Sequence, residues 1–150
     1  PGTRILHTQK FATPTGRAKF LPLVYIPSVE LPDKDFPLLL TTDRSLYHYH
    51  TSTMTRRVEG LRALDKEELL KINPFDAGEL DIVDGELVKV TSRRGAVQVK
   101  IKITNIIPVG IVSMTFHFWE TPTNELTNGA VDPVAKIPET KVCAVKVEKV

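Results

Sequence analysis

Apolar and polar positions alternate most clearly at Val97, Val99, Ile101 and Ile103, with Gln98, Lys100 and Lys102 between them. A period of two is the mark of a half-buried strand. Leu87, Val88 and Val90 form a second strand, and Val142–Val147 a final one that buries Cys143, Val145 and Val147. Leu38–Thr42 is a continuous apolar run ending in threonines. It is too short for a helix and suits a strand buried on both faces. Ile111–Phe118, rich in β-branched and aromatic residues, predicts a further strand. Leu61–Leu70 has leucines at helical spacing and reads either as one helix or as a short helix followed by a strand. Asn73-Pro74 is a helix start, asparagine as N-cap and proline at the first position, with Ala77, Leu80 and Ile82 as its apolar face.

Turn residues punctuate this pattern. Asp84-Gly85, Arg94-Gly95 and the Pro108–Gly110 stretch each join two predicted elements. The 11 prolines and 8 glycines cut the chain every 8 to 12 residues or so, the spacing of an all-β sandwich or barrel. Residues 1–37 are the most irregular part, interrupted by Pro14, Gly16, Pro22, Pro27, Pro32 and Pro37. They predict an extended arm with a turn at Thr15-Gly16 and short extended pieces at Ile5–Phe11 and Ala18–Tyr25. Its Phe11, Phe20, Leu21, Leu23 and Tyr25 give it apolar surface with which to wrap a core or cross to another domain. Residues 38–150 form the body, a mostly-β barrel with one or two small helices.

Composition narrows the functional classes. The 150 residues are 41% hydrophobic and 25% charged, an ordinary single globular domain. Lys plus Arg is 20 and Asp plus Glu is 18, a net charge of +2, which gives no sign of a nucleic-acid-coating surface. Cys143 stands alone, so this chain offers no internal disulfide, Fe–S cluster or Cys-rich zinc site. No apolar run approaches the roughly 20 residues of a membrane span. The chain starts at Pro1 without a signal peptide, which fits a piece of a longer chain.

Candidate chemistry concentrates in Thr41–Arg57, which holds 7 serine and threonine hydroxyls, 2 histidines, 2 tyrosines and 3 arginines. It follows a strand, where loops carry binding residues. Arginine forks and hydroxyls suit phosphate oxygens, and aromatic rings can stack on a base. The stretch lacks the glycine pattern of a P-loop or Rossmann turn, so a nucleotide would bind in another way. The plain alternative is a solvated polar loop with Arg56 and Arg57 on the surface. His48-x-His50 has the spacing of a zinc-chelating pair, with His117 or His7 as a third ligand, which keeps a small metallohydrolase open. In Phe116-His117-Phe118-Trp119 the rings of Phe116 and Phe118 read as core. Glu139 and Lys141 face either a ligand or water. No G-x-S-x-G elbow frames a serine, and Cys143 reads as a buried thiol.

Several stretches occur together and in order: Pro14-Thr-Gly-Arg-Ala-Lys-Phe20, Phe36-Pro-Leu-Leu-Leu-Thr-Thr-Asp-Arg44, Tyr47-His-Tyr-His-Thr-Ser-Thr-Met-Thr-Arg56, Ile72-Asn-Pro-Phe-Asp-Ala77, Ser92-Arg-Arg-Gly95, Phe116-His-Phe118, Asn124-Glu-Leu-Thr-Asn128, Asp132-Pro-Val-Ala-Lys136 and Pro138-Glu-Thr-Lys-Val-Cys-Ala144. Together they resemble the C-terminal domain of the molybdopterin-dependent oxidoreductases, and within that family the catalytic (alpha) subunits of molybdenum or tungsten formate dehydrogenases. The resemblance covers nearly the whole chain. It implies a six-stranded double-psi β-barrel that holds the guanosine diphosphate tail of bis-molybdopterin guanine dinucleotide. It implies that Thr42, Arg44, His48, Tyr49, His50 and Thr53 belong to the loop contacting the dinucleotide, and that Phe116, His117, Asn124 and Lys141 line the same cleft. His50 departs from the small polar residue of some relatives. The resemblance places the [4Fe–4S] cluster, the metal's own ligand and the catalytic residues in a missing N-terminal part. This fragment alone is then inactive, with the remaining domains of the catalytic subunit and an electron-transfer subunit as partners, no nucleic acid, no direct membrane span and a cytoplasmic setting. Two alternatives accompany it: the same domain of another molybdopterin oxidoreductase, and a non-catalytic double-psi barrel that recognises protein partners.

Overall fold

The computed structural model describes residues 4–150. Six strands close into a barrel in the order β1-β5-β2-β4-β3-β6. They are β1 (Leu38–Thr42), β2 (Leu69–Ile72), β3 (Leu87–Thr91), β4 (Ala96–Ile103), β5 (Ile111–Met114) and β6 (Cys143–Lys149). Two pairs run parallel, β1 with β5 and β2 with β4, and the other four antiparallel. This mixed, crossed order is the double-psi barrel that the family resemblance implies, and no strand pattern could have supplied it, since periodicity fixes faces and not neighbours.

The core is the inward row of each strand: Leu38 and Leu40, Leu70 and Ile72, Val88 and Val90, Val97, Val99 and Ile101, Val112 and Met114, Cys143, Val145 and Val147. Along β4 every second residue is buried, as its alternation predicts. β1 departs from expectation. Leu38, Leu40 and Thr42 are buried but Leu39 and Thr41 only half so, because a barrel has one packed face and not two. The leucine-rich stretch resolves into α1 (Glu59–Leu64) followed by β2. α2 (Pro74–Glu79) starts as predicted, with the Asn73 carboxamide accepting the Phe75 N–H at 2.9 Å. Gly85 sits at φ +82°, the left-handed backbone its turn requires. Gly95 is needed for another reason: a Cβ there would stand 3.2 Å from the Glu125 carbonyl oxygen.

Two expectations fail. β5 stops at Met114 instead of reaching Phe118. Thr115 leaves the ladder because its N–H goes to the Glu68 carboxylate, 2.7 Å away. The arm's piece at Ile5–Phe11 is a run of bends and turns and not extended, while Ala18–Tyr25 has no regular secondary structure. The turn at Thr15-Gly16 is present, with the Phe11 N–H on the Gly16 carbonyl at 2.9 Å.

The last part of the arm docks on the barrel. Glu30 accepts both Arg94 Nη groups and the Ala144 N–H (2.7 Å), and Arg93 pairs with Asp33 while its guanidinium lies 4.6 Å from the Phe36 ring centre. Arg94 also donates to the Leu126 carbonyl from Nε (3.1 Å) and Nη2 (2.8 Å). The Glu30–Arg94 pair thus joins the arm, β6 and the Thr123–Glu125 3-10 turn. Glu139, read as facing ligand or water, accepts the Val29 N–H at 3.3 Å. Before this latch the arm's apolar side chains face solvent; Phe20 is 96% exposed.

A nucleotide-sized cleft built around His117

The polar loop after β1 is held from inside by one side chain. His117 is 1% exposed. Its Nε2 accepts the Ser45 N–H at 2.9 Å, and its Nδ1–H donates to the His50 carbonyl. Main-chain partners therefore fix the tautomer, with the proton on Nδ1. The His117 N–H donates to the Thr115 hydroxyl oxygen at 3.3 Å, and the His117 carbonyl accepts the Ser52 hydroxyl at 2.6 Å. His50 and Ser52 both adopt left-handed backbone, φ 47° and 58°. Such a conformation costs a residue with a Cβ roughly 1–2 kcal/mol. Both strained residues are tied to His117, so the reversal persists because the buried imidazole over-determines it.

His48 is a second strut. Its Nε2–H donates to the Asp65 carbonyl (2.9 Å) and its Nδ1 accepts from the Thr55 hydroxyl (3.0 Å). The ring lone pairs of His48 and His117 are thereby engaged with hydrogen donors. Among the described residues no group of three His, Cys, Asp or Glu is placed to hold a metal ion. His7, the other third ligand considered, stacks on Phe11 at 4.8 Å.

Behind the loop lies Glu68, 4% exposed, whose carboxylate accepts both the N–H and the hydroxyl of Thr115. Burial raises its pKa, opposed by those hydrogen bonds, and the nearby Asp43 charge raises it further. Lys66, Glu67, Lys100 and Glu120 line the hollow on one side of it; Arg44, Asp65, Glu67 and Lys71 line the other. A folded-state pKa above the ordinary 4.5 means the native state holds the proton longer, so this group's contribution to stability declines as pH rises from that value through the raised one. Glu68→Gln is therefore expected to gain on the parent protein as pH goes from about 4.5 to about 8, read by urea denaturation at both ends. A gap between the two proteins that does not move with pH would contradict this.

The sequence-predicted residues fall into three groups. Phe116, His117 and Asn124 line one cleft of about 170 Å3 with Thr51, Phe118, Trp119, Pro122 and Thr123. Thr53 lines an adjoining hollow of about 430 Å3 with Thr51, Ser52, Arg56, Arg57, Arg62 and Trp119. Arg44 lines a separate hollow with Glu68 and Lys71, its guanidinium 5.6 Å from the Phe116 ring centre, and His50 and Tyr49, whose rings meet edge-on at 4.6 Å, line none of these spaces. Thr42 and Lys141 line neither space. The Thr42 hydroxyl donates to the Thr140 carbonyl (3.1 Å) and the Lys141 ammonium to the Thr42 carbonyl, closing the end of β1. Phe118 is core as expected, but Phe116 is only half-buried and walls the cleft.

Sequence reasoning missed Trp119, Thr123 and Arg62 as lining residues and did not single out Arg57 within the Thr41–Arg57 stretch. Only the aromatic run Phe116–Trp119 carried a signal, and it did not distinguish which ring faces outward. The donor set suits a nucleotide. The Asn124 carboxamide lines the cleft and is unpaired among the described residues.

A closed barrel carrying a pinned polar loop and a hydroxyl-lined cleft defines a ligand-holding domain. The chain belongs to the Molydopterin dinucleotide binding domain family, whose model matches residues 38–144. It is 53% identical over 149 residues to the F420-dependent formate dehydrogenase subunit alpha of Methanocaldococcus jannaschii, and 49% identical over 150 residues to the F420-dependent formate dehydrogenase 2 subunit alpha of Methanococcus maripaludis. The match covers 99% and 100% of this chain but 22% of each relative's length. Acetylene hydratase from Pelobacter acetylenicus shares the fold, with a TM-score of 0.70 at 17% identity over 78% of this chain and 19% of its own.

Proposed function

We propose that this domain holds the guanosine diphosphate tail of bis-molybdopterin guanine dinucleotide within a formate dehydrogenase catalytic subunit. The observation that carries the reading is the loop pinned on His117. It sets Thr53 in a hollow whose Thr51 and Trp119 also line the cleft of Phe116 and Asn124. When bound, that cofactor, carrying molybdenum or tungsten, supplies the two-electron chemistry that oxidises formate to CO2.

This chain's share is positional. Asn124 offers a donor and an acceptor to the base. Arg44 offsets phosphate charge, and Thr53, Tyr49 and His50 present hydroxyls and rings along the loop. His48 and His117 act by holding that loop, and Thr42 with Lys141 by fixing the strand end from which it departs. Rigid anchoring of a tail fixes the approach of the reactive end of the same molecule.

The remaining parts belong to the longer protein: the [4Fe–4S] cluster, the metal's own ligand and the catalytic residues. Its partners are the other domains of the catalytic subunit and an electron-transfer subunit, F420-dependent as in the relatives, in the cytoplasm. Within the described residues no helix is long and apolar enough to cross a membrane. Titration with guanosine diphosphate against adenosine diphosphate tests the reading. Guanosine diphosphate is expected to bind more tightly.

A further inference from the structure

We propose that Glu30 of the arm is a positioning residue for the cleft, acting through Arg94 on the 3-10 turn that carries Asn124. The consequence for a nucleotide rests on the reading above; the relay from arm to turn does not.

The turn needs outside support. Thr123–Glu125 is three residues long, and no side chain caps its start at Pro122. Its main-chain bonds run from the Glu125 N–H to the Pro122 carbonyl (2.9 Å), from Leu126 to Thr123 (3.0 Å) and from Thr127 to Asn124 (3.3 Å). So short a 3-10 piece has poor hydrogen-bond geometry and no cooperative length, and tertiary contacts decide where it sits.

Three residues supply those contacts. The Gly95 backbone packs so closely that a Cβ there would stand 3.2 Å from the Glu125 carbonyl oxygen. Arg94 donates to the Leu126 carbonyl from Nε and Nη2, at 3.1 and 2.8 Å. Asn128 donates from Nδ2 to the Glu139 and Val142 carbonyls, at 3.1 and 2.9 Å.

The arm grips two of these supports. The Glu30 carboxylate takes both Arg94 Nη groups and the Ala144 N–H, which leaves the guanidinium one direction in which to point. Without that partner the Arg94 side chain, 27% exposed, gains rotamer freedom by turning to water and leaves the Leu126 carbonyl. One residue earlier, the Val29 N–H donates to the Glu139 carboxylate at 3.3 Å, and Asn128 Nδ2 reaches the same oxygen at 3.4 Å. Adjacent arm residues thus meet both anchors of the segment that follows Asn124.

Amide hydrogen exchange in the protein, with and without guanosine diphosphate, tests this. Glu30→Gln keeps an acceptor for Ala144 and removes the charge that aims Arg94. Without ligand, its Glu125, Leu126 and Thr127 amides are expected to exchange about tenfold faster than the parent's, or more. Asp84→Ala loses the Ile103 N–H contact of 2.7 Å at a different turn and is expected to leave those three amides unchanged. Guanosine diphosphate is expected to bind Glu30→Gln about fivefold more weakly, or worse, and by reciprocity to slow exchange of the Val29 and Ala144 amides in the parent. Unchanged exchange at the turn in Glu30→Gln overturns the proposal, as does equal loosening in Asp84→Ala. A turn that loosens while the nucleotide binds as before overturns the positioning role. A loosened turn in a protein whose parent binds no guanosine diphosphate keeps the relay and overturns the nucleotide reading instead.

Discussion

Replacement of His117 by phenylalanine is expected to destabilise the protein by about 2–6 kcal/mol and to abolish nucleotide binding. The ring volume is nearly kept, so the effect isolates the two imidazole nitrogens. Without them the part-buried Ser45 N–H and His50 carbonyl lose their partners, at up to about 1–3 kcal/mol for each group that water does not reach. The left-handed residues His50 and Ser52 also lose the contact that holds them, and the loop relaxes away from the cleft. Urea denaturation gives the first effect and titration the second. A variant within about 1 kcal/mol of the parent that still binds would show that the loop is held some other way.

The second large effect is expected at Arg94. Its guanidinium joins Glu30 of the arm to the Leu126 carbonyl beside the cleft's 3-10 turn. Arg94→Ala leaves the Glu30 side chain, 12% exposed, with the Ala144 N–H and the more distant Arg93. A cost of about 2–4 kcal/mol follows, below that of a fully buried pair because Arg94 is partly solvated. Arg94→Lys is expected to recover only part of it, since an ammonium cannot form the paired bonds. The acid limb of stability should change too. The hydrogen bond from Arg94 holds the Glu30 carboxyl below its ordinary 4.5. Its contribution is complete above that value and is lost as pH falls through the lowered one. Arg94→Ala should flatten this part of the pH–stability curve and make residues 28–36 accessible to proteases. An unchanged cleavage pattern would contradict the latch.

The pattern of the chain carried the faces of β3, β4 and β6 and the start of α2, because period and capping are local properties. It did not carry the end of β5, where the Thr115 N–H is captured by the side chain of Glu68, 47 residues earlier. Nor did it carry the roles of the histidines. His48-x-His50 has a chelating spacing, yet one ring is turned to the main chain and the other residue lies in a left-handed reversal. Composition marked Thr41–Arg57 as the place for a ligand. Only the fold shows that Trp119, Thr123 and Arg62, distant in sequence from its centre, share walls with it. The family resemblance supplied the barrel topology that local pattern cannot encode.

A guanine nucleotide held beside the loop pinned on His117 is the centre of this account. An amide NMR titration of the protein with guanosine diphosphate, with adenosine diphosphate as the control, tests it most directly. Shifts are expected at Arg44, Tyr49, Thr53, Phe116 and Asn124, saturating at lower concentration for the guanine nucleotide. Shifts confined to other surfaces, or equal responses to the two nucleotides, would contradict it.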